Sequence, residues 1–242
     1  MAGPLAQFEV HSIGPELSLA GFNVPFNNSA LWMVIAVVVA TGLMIAATAR
    51  QAVIPGRLQS LAEVLHGFVA NMVRENAGQE GMKYFPFVFS LFIFVLFGNL
   101  LGMIPFSFTF TSHIIVTFGL AATVFVVVTL IALMRHGLHF FSFFLPHGTP
   151  WWMAIIVIPI EVLSYFARPV SLSIRLFANM MAGHTMLKVF GGFAVSLGII
   201  GGLAPLALIV ALTGFEILVA LLQAYVFSIL TCLYLKDAIE LH

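Results

Sequence analysis

Three uninterrupted apolar stretches decide what this chain can fold into. They lie at residues 30–49, 85–106 and 114–134, and none of them contains a charged side chain. A helix of about 20 apolar residues spans the hydrocarbon core of a bilayer. Inside that core the backbone can satisfy its hydrogen bonds only in helices or closed barrels. We therefore predict an all-α integral membrane protein, with these stretches as its first three spans.

The composition supports this class and excludes others. Of the 242 residues, 62% are hydrophobic and 7% are charged. Basic and acidic residues are equal in number, at nine each, so no charge excess points to a nucleic-acid partner. Residues 1–29 form a short N-terminal segment without lysine or arginine, which argues against a cleaved signal peptide.

Beyond residue 150 the apolar pattern continues, but polar residues interrupt it. We predict two long helices here, at residues 151–190 and 195–236, which brings the number of membrane helices to about five. Their interior polar residues include Glu161, Arg168, Ser171, Arg175, Asn179, His184, Glu216 and Gln223.

A different pattern lies between the first two spans. Apolar residues recur at steps of three and four within residues 56–77, which predicts an amphipathic helix on the membrane surface. The alternative is a helix that packs on other protein. The basic residues that flank the spans are Arg50, Arg57, Arg74, Lys83, Arg135 and Lys236. They place the first loop and the C-terminus in the cytoplasm and the N-terminus outside.

Arg175 is the most unusual of the polar residues. An arginine deep in a membrane costs several kcal/mol and usually faces protein or water on an ion path. Steps of seven place Glu161, Arg168 and Arg175 on one helix face, each about 10 Å from the next. The residues one turn from Arg175, Ser171 and Asn179, are neutral and not strong acceptors, so its counter-charge is expected from another subunit. The alternative is neutralisation by Glu216 or Glu161 within the chain.

His184 lies on the opposite face of the same helix. If the two last helices form an antiparallel hairpin that turns near residues 201–202, His184 lies level with Glu216, and Arg175 level with Gln223. A turn at residues 191–192 would break both pairings. A histidine beside a carboxylate is suited to passing protons, although a static hydrogen bond would fit the same spacing.

Three stretches carry a family resemblance: PVSLSIRLFANMMAGH at 169–184, FVFSLFIFVLFGNLLGMIP at 87–105, and ALLQAYVFSILTCLYL at 220–235. Together they resemble the a subunits of F-type ATP synthases over essentially the whole chain. The resemblance implies a stationary proton-channel subunit whose last two helices form a long, tilted hairpin against a rotating ring of c subunits. Arg175 would face the ring carboxylate and separate two offset half-channels.

The resemblance also implies roles for the other polar residues. His184 and Glu216 fall on the polar pair of the outer half-channel, and Glu161 on the acid of the inner one. Gln223 lies opposite the arginine. Asn179 matches the family's asparagine one turn beyond the arginine, and Asn99 matches a polar residue that lines the outer half-channel. Arg168 and Ser171 are assigned to structure or to a vestibule, and the expected contact of Arg168 is Glu161 or lipid headgroups.

Partners and location follow from the same resemblance. The expected partners are the c-ring, b-type peripheral stalk subunits, the rest of the F-type complex and the lipid bilayer, in a bacterial inner membrane. The resemblance implies no catalytic residue, cofactor or metal in this chain, which would translocate ions for an enzyme complex without being an enzyme itself. A sodium-translocating form of the subunit, a secondary ion transporter and a purely structural scaffold are the alternatives.

Overall fold

The structure is a computed structural model that describes residues 8–19, 22–49, 52, 54–104, 107–144 and 151–240. Its main elements are seven helices: α1 (Asn28–Thr48), α2 (Arg57–Gly81), α3 (Phe85–Gly102), α4 (Ile114–His136), α5 (Trp151–Ser196), α6 (Gly198–Gly201) and α7 (Leu203–Ile239). Short 3-10 helices occupy Met82–Tyr84, Phe110–Ser112 and Gly137–Phe144.

The predicted all-α membrane class is confirmed. Five helical runs in the described part of the chain are long and apolar enough to cross a membrane. They are α1, the run Arg57–Gly102 that contains α2 and α3, α4, most of α5, and α7. The helix α3 ends at Gly102, before the predicted end of that span, and residues 105–106 lie outside the described part.

The N-terminal segment holds a small β-hairpin that the sequence reading did not predict. Strands β1 (Ser12–Leu19) and β2 (Phe22–Asn27) pair antiparallel and lead directly into α1. The side chain of Asn27 caps α1 by accepting a hydrogen bond from the backbone N–H of Ala30 at 2.9 Å. This cap satisfies one of the free N–H groups at the helix start.

The helix α7 lies at the centre of the packing. It contacts α2, α3, α4 and α5, while α1 packs on α2 and α3. The buried side of α7 carries small residues such as Ala220 and Ala224, both 0% exposed. Small side chains allow helices to approach closely, which is the usual basis of helix packing in membranes.

Part of α2 packs against other helices of the chain. Val69, Met72 and Val73 are buried, and Phe68 contacts the ring of Tyr225 on α7. The N-terminal half instead exposes apolar side chains, such as those of Leu58 and Leu61. Gly78, near the C-terminal end of α2, has a φ of 70° and a ψ of −171°, a backbone conformation that favours glycine, so the helix bends there. The structure therefore supports a helix that packs on protein at one end and exposes an apolar face at the other.

The last two long helices are much longer than a simple span. At 1.5 Å per residue, the 46 residues of α5 extend about 69 Å and the 37 residues of α7 about 56 Å. The hydrocarbon core is only about 30 Å thick. Helical structure continues through Pro159 and Pro169, and the chain reverses in residues 197–202.

Candidate functional site

His184 on α5 and Glu216 on α7 form a buried ionisable pair. His184 Nδ1 bonds to Glu216 Oε1, and the two side chains are 11% and 4% exposed. This bond confirms the predicted contact between the two residues. The contact forms because the hairpin turns close to residues 201–202, as the prediction required. Burial of two ionisable groups is tolerated only when each supplies the other with a partner.

The other ring nitrogen of His184 fixes the proton arrangement. Nε2 lies 3.0 Å from the carbonyl oxygen of Gly102 and 2.7 Å from Thr109 Oγ1. Thr109 Oγ1 itself donates to the same carbonyl at 3.1 Å. A carbonyl oxygen can only accept, so this network assigns a proton to Nε2.

That assignment limits the states of the pair. With Nε2 protonated, Nδ1 either accepts a proton from neutral Glu216 or, in the imidazolium, donates to the ionised carboxylate. Both states contain the same number of protons and have no net charge. The pair therefore holds one proton that can move between Nδ1 and Oε1 without changing the charge of its surroundings. Glu216 Oε2 is buried and has no hydrogen-bond partner among the described residues, which leaves one oxygen available for exchange.

Gly183 makes room for the Glu216 side chain. A β-carbon at this position would lie 2.5 Å from Glu216 Oε1 and 2.8 Å from its Cδ. Real side chains do not approach this closely, so any larger residue would displace the carboxylate. The glycine is thus part of the geometry that brings the pair together.

The substitution Gly183→Ala is expected to lower any proton transfer through this pair at least about tenfold, because a shift of the carboxylate breaks its bond to His184. Gly191→Ala is the matched control, since a β-carbon at Gly191 on the same helix meets nothing within 4 Å. Proton flux across membrane vesicles, with the amount of folded protein measured in parallel, checks both. Equal activity of the two variants would contradict the assigned role of Gly183.

A cavity with several polar side chains in its largely apolar lining opens beside the pair. It has a volume of about 720 Å³ and extends from the N-terminal segment to His184. Its ionisable and polar lining residues include Glu9, His11, Asn28, Ser107, His184 and Lys188. A cavity of this size holds many water molecules, so His184 has access to water.

Polar residues continue along the buried side of α7. Asn99 on α3 is 0% exposed and donates from Nδ2 to the carbonyl oxygen of Ala220 at 3.2 Å. Ala220 is one turn after Glu216, and the buried Gln223 follows. Asn99 Oδ1 has no hydrogen-bond partner in the described part of the chain. Asn99 thus adds a polar group on the buried side of α7 between the levels of Glu216 and Gln223, and we call these three residues the polar line.

Arg175 lies on the outer surface of α5. Its side chain is exposed, and no carboxylate of the described residues lies within ion-pair distance. Its exposed neighbours on the helix include the apolar Val170 and Ile174 and one polar residue, Ser171. The structure pairs Glu216 with His184, so the internal neutralisation of Arg175 by Glu216 is not observed. Arg175 therefore presents a cation on a mostly apolar surface.

The remaining predicted residues of α5 are spread along the helix. Ser171 is exposed, Asn179 is half-buried, and Glu161 is half-buried. Glu161 precedes Arg175 by 14 residues, which corresponds to about 21 Å along the helix. The structure does not bring Glu161 to the His184–Glu216 pair.

Arg168 is held by residues of α7. Its Nη1 lies 2.9 Å from Asp237 Oδ2, and its guanidinium lies 5.5 Å from the ring centroid of Tyr165 and 5.1 Å from that of Tyr234. The predicted contacts of Arg168 were Glu161 or lipid headgroups. Its ion-pair partner in the structure is Asp237, which the sequence had not indicated. Ion pairing together with cation–π contacts fixes Arg168 firmly.

The substitution Asp237→Asn is expected to destabilise the folded chain by about 1 kcal/mol, because the ion pair is only partly buried and the ring contacts remain. Glu75→Gln, at an exposed position on α2, is the control. Thermal denaturation of the detergent-solubilised complex measures the effect. In the Arg168→Gln background, Asp237→Asn should lower the stability of the fold by much less. An equal loss of stability in both backgrounds would show that the two side chains do not act together.

Several residues of this site carried no sequence signal. Thr109 and Gly102 lie at an irregular connection, and their distance in sequence from His184 hides the contact. Gly183 could have been found by its position beside His184. Among the described residues, no cluster of three histidine, cysteine, aspartate or glutamate side chains could hold a metal ion.

The fold and this site define a class: a multi-pass, all-α membrane protein of ion transport, with ionisable groups between its longest helices. Comparisons with known proteins specify it further. A family model described as ATP synthase A chain matches residues 30–236. ATP synthase subunit a of Rhodospirillum rubrum is 54% identical over 242 residues, covering 100% of both chains.

Two other relatives agree. ATP synthase subunit a of Pelagibacter ubique is 53% identical over 239 residues, covering 99% of this chain and 98% of the relative. That of Paramagnetospirillum magneticum is 53% identical over 248 residues, with 100% of both covered. The chain belongs to the ATP synthase subunit a family. It is a component of the membrane sector of an F-type ATP synthase and is not itself catalytic.

Proposed function

We propose that this chain is the stationary proton channel of its complex, with two offset half-channels that load and unload a carboxylate on the c-ring. The observation that carries the proposal is Arg175, an exposed cation without an ion-pair partner among the described residues, on a mostly apolar helix surface. Such a charge is costly in a membrane unless a partner neutralises it. A carboxylate on a rotating ring supplies that partner.

The outer half-channel begins in the cavity beside His184 and ends near Arg175. When the His184–Glu216 pair passes its proton inward it is left with one negative charge, and a proton delivered by water in the cavity restores the neutral pair. The polar line of Asn99 and Gln223 extends from Glu216 toward the level of Arg175. A proton transferred along this line neutralises the ring carboxylate, which then turns into lipid at little electrostatic cost.

The inner half-channel removes that proton after nearly a full turn. Glu161 is the proposed acceptor, and its half-buried position about 21 Å from Arg175 supports a separate, offset path. Asn179 and Ser171 border Arg175 along α5, at positions suited to hold water at the ring surface. Arg168 is assigned to positioning, because Asp237 and two tyrosine rings hold it in place.

Arg175 keeps the two paths apart. An arginine does not release its proton under physiological conditions, so it cannot carry one between the half-channels. Its positive charge stabilises the ionised form of a nearby carboxylate and repels a free cation. The ring carboxylate therefore ionises in front of Arg175 and is protonated again only through the outer path. Net rotation follows from this asymmetry.

The length and surface of the hairpin support docking against a ring. The helices α5 and α7 exceed the thickness of the bilayer, which a strong tilt accommodates. Their outer surface exposes apolar side chains such as Ile174, Leu218 and Leu222. A tilted, apolar surface with one cation matches a ring of apolar helices with one carboxylate each.

The rest of the assembly follows from the family and the charge pattern. The c-ring, b-type stalk subunits and the peripheral ATPase sector are the proposed partners, in a bacterial inner membrane. Basic residues between the first two spans place that loop in the cytoplasm, the N-terminus outside and the C-terminus inside. The outer cavity then faces the outside, where the N-terminal segment lines it.

Reconstitution of the whole complex in liposomes tests the proposal. A proton gradient in sodium-free buffer should drive ATP synthesis, and a sodium gradient of equal size at constant pH should not. The purified chain alone should show no substrate or ion exchange, in contrast to a secondary transporter. Synthesis driven by sodium, or gradient-driven transport by the isolated chain, would overturn the proposal.

A further inference from the structure

Residues 8–11 are held at the mouth of the outer cavity by three hydrogen bonds to Asn28. The backbone N–H of Asn28 donates to His11 O at 3.1 Å, its side-chain Nδ2 donates to Glu9 O at 3.1 Å, and its Oδ1 accepts from the N–H of His11 at 3.3 Å. Phe8 adds an edge-on contact with the ring of His113 at 6.5 Å. Asn28 is the first residue of α1, so this segment is fixed to a membrane helix.

The segment brings two ionisable groups to the cavity. His11 Nε2 lies 3.9 Å from Glu9 Oε2, and both side chains line the same cavity as His184. They are 71% and 67% exposed, so they exchange protons freely with bulk water. An acceptor pair thus lies at one end of a water-accessible volume that has His184 at its other end.

The charges that face this mouth come from few groups. Lys188 on α5 lines the cavity and opposes the entry of protons. His184 is paired with Glu216, and the pair has no net charge in the two states derived above. His113 lies behind Phe108, and burial lowers the pKa of His113 below its ordinary value, so its ring adds no charge at neutral pH. Glu9 is therefore the acidic charge at the cavity among the described lining residues.

We propose that Glu9 and His11 form a proton-collecting pair that supplies the outer half-channel, with Asn28 as the residue that positions it. The inference rests on the proposed function, because it needs His184 to be the next acceptor inward. The carboxylate and the imidazole take up protons from the membrane surface and release them into the cavity. No bond other than those to the exchanged proton is made or broken.

The physical need for such a pair is greatest at alkaline external pH. At pH 8.5 the free proton concentration is only about 3 × 10⁻⁹ M, so the rate of proton capture from bulk water, which is proportional to that concentration, is about 100-fold lower than at pH 6.5. An exposed carboxylate at the mouth raises the proton concentration in its immediate surroundings and the rate of capture.

The test uses the double variant Glu9→Gln/His11→Gln in membrane vesicles that contain the whole complex. ATP synthesis is measured at external pH 6.5 and 8.5, with the pH difference and the membrane potential held constant. At pH 6.5 the wild type and the double variant should synthesise ATP at nearly equal rates. At pH 8.5 the wild type should be at least about threefold faster. Lys188→Gln should have the opposite effect and raise the rate at pH 8.5. Asn28→Ala should reproduce the loss, and Glu75→Gln on α2 is the matched control.

Two outcomes separate this inference from the proposed function. His184→Gln should lower synthesis at every external pH. If it does, and the double variant follows the pH profile of the wild type, the collecting pair is refuted while the half-channel stands. If His184→Gln leaves synthesis intact at both pH values, the half-channel itself is refuted and the inference with it.

Discussion

The substitution Arg175→Ala is expected to abolish proton-driven ATP synthesis, with a loss of at least about 100-fold. Without the guanidinium, no fixed charge makes the ring carboxylate ionise in front of α5 and α7. Arg175 has no ion-pair partner among the described residues, so its loss should leave the fold of the chain intact. Synthesis in membrane vesicles measures the effect, and immunodetection of assembled complex shows that the protein is present.

Arg74→Ala provides the matched control, because Arg74 is also an exposed arginine but lies on α2. It should retain synthesis close to that of the wild type. Arg175→Lys keeps the charge but loses the planar guanidinium, and lysine can release its proton in a membrane environment. We therefore expect Arg175→Lys to remain strongly impaired. Normal synthesis in Arg175→Ala would mean that the charge only serves structure.

The second large effect is expected from Glu216→Gln. The amide has nearly the shape of the carboxyl group and can still hydrogen-bond to His184, but it cannot take up a proton. Positioned proton transfer commonly contributes about 10²–10⁴-fold to a rate, so a loss of about 100-fold in proton-driven synthesis is expected. The rate of ATP synthesis at saturating driving force, normalised to assembled complex, is the measurement.

The control for this substitution is Glu216→Asp, which keeps a titratable group one methylene further from His184 and should retain more activity than Glu216→Gln. A variant with glutamine that is as active as the wild type would show that the His184–Glu216 contact is a static hydrogen bond. That was the alternative that the spacing alone left open. If Glu216→Gln and Glu216→Asp lowered ATP synthesis by comparable amounts, the exact position of the carboxyl group would be required, and not only its ability to take up a proton.

The membrane helices could be predicted from the sequence because their cause is local. A run of about twenty apolar residues has few alternatives to a membrane helix. The N-terminal β-hairpin was missed, since Gly14, Pro15 and Pro25 interrupt the alternation that indicates strands. Where a helix ends was also difficult, as the end of α3 at Gly102 shows, because tertiary contacts decide the last turn.

Some contacts of the site could be predicted from the sequence, and others could not. The contact of His184 with Glu216 could be predicted, because two antiparallel helices around one turn place residues at equal distances from it side by side. Asp237 was not predicted as the partner of Arg168, although the two residues lie at similar distances from the turn, because Glu161 on the same helix face offered a nearer carboxylate. The exposure of the side chains could not be predicted either. Arg175 faces outward and Gln223 faces inward because of the way α7 packs against α3.

Passive proton conductance tests the central claim most directly, namely that Arg175 separates two half-channels. The measurement uses membrane vesicles stripped of the peripheral ATPase sector, with wild-type chain and Arg175→Ala compared at equal amounts of membrane sector. The account predicts a proton leak at least about tenfold higher in the variant, because the barrier to a free cation is removed. A variant membrane as tight as the wild type, together with preserved ATP synthesis, would contradict it.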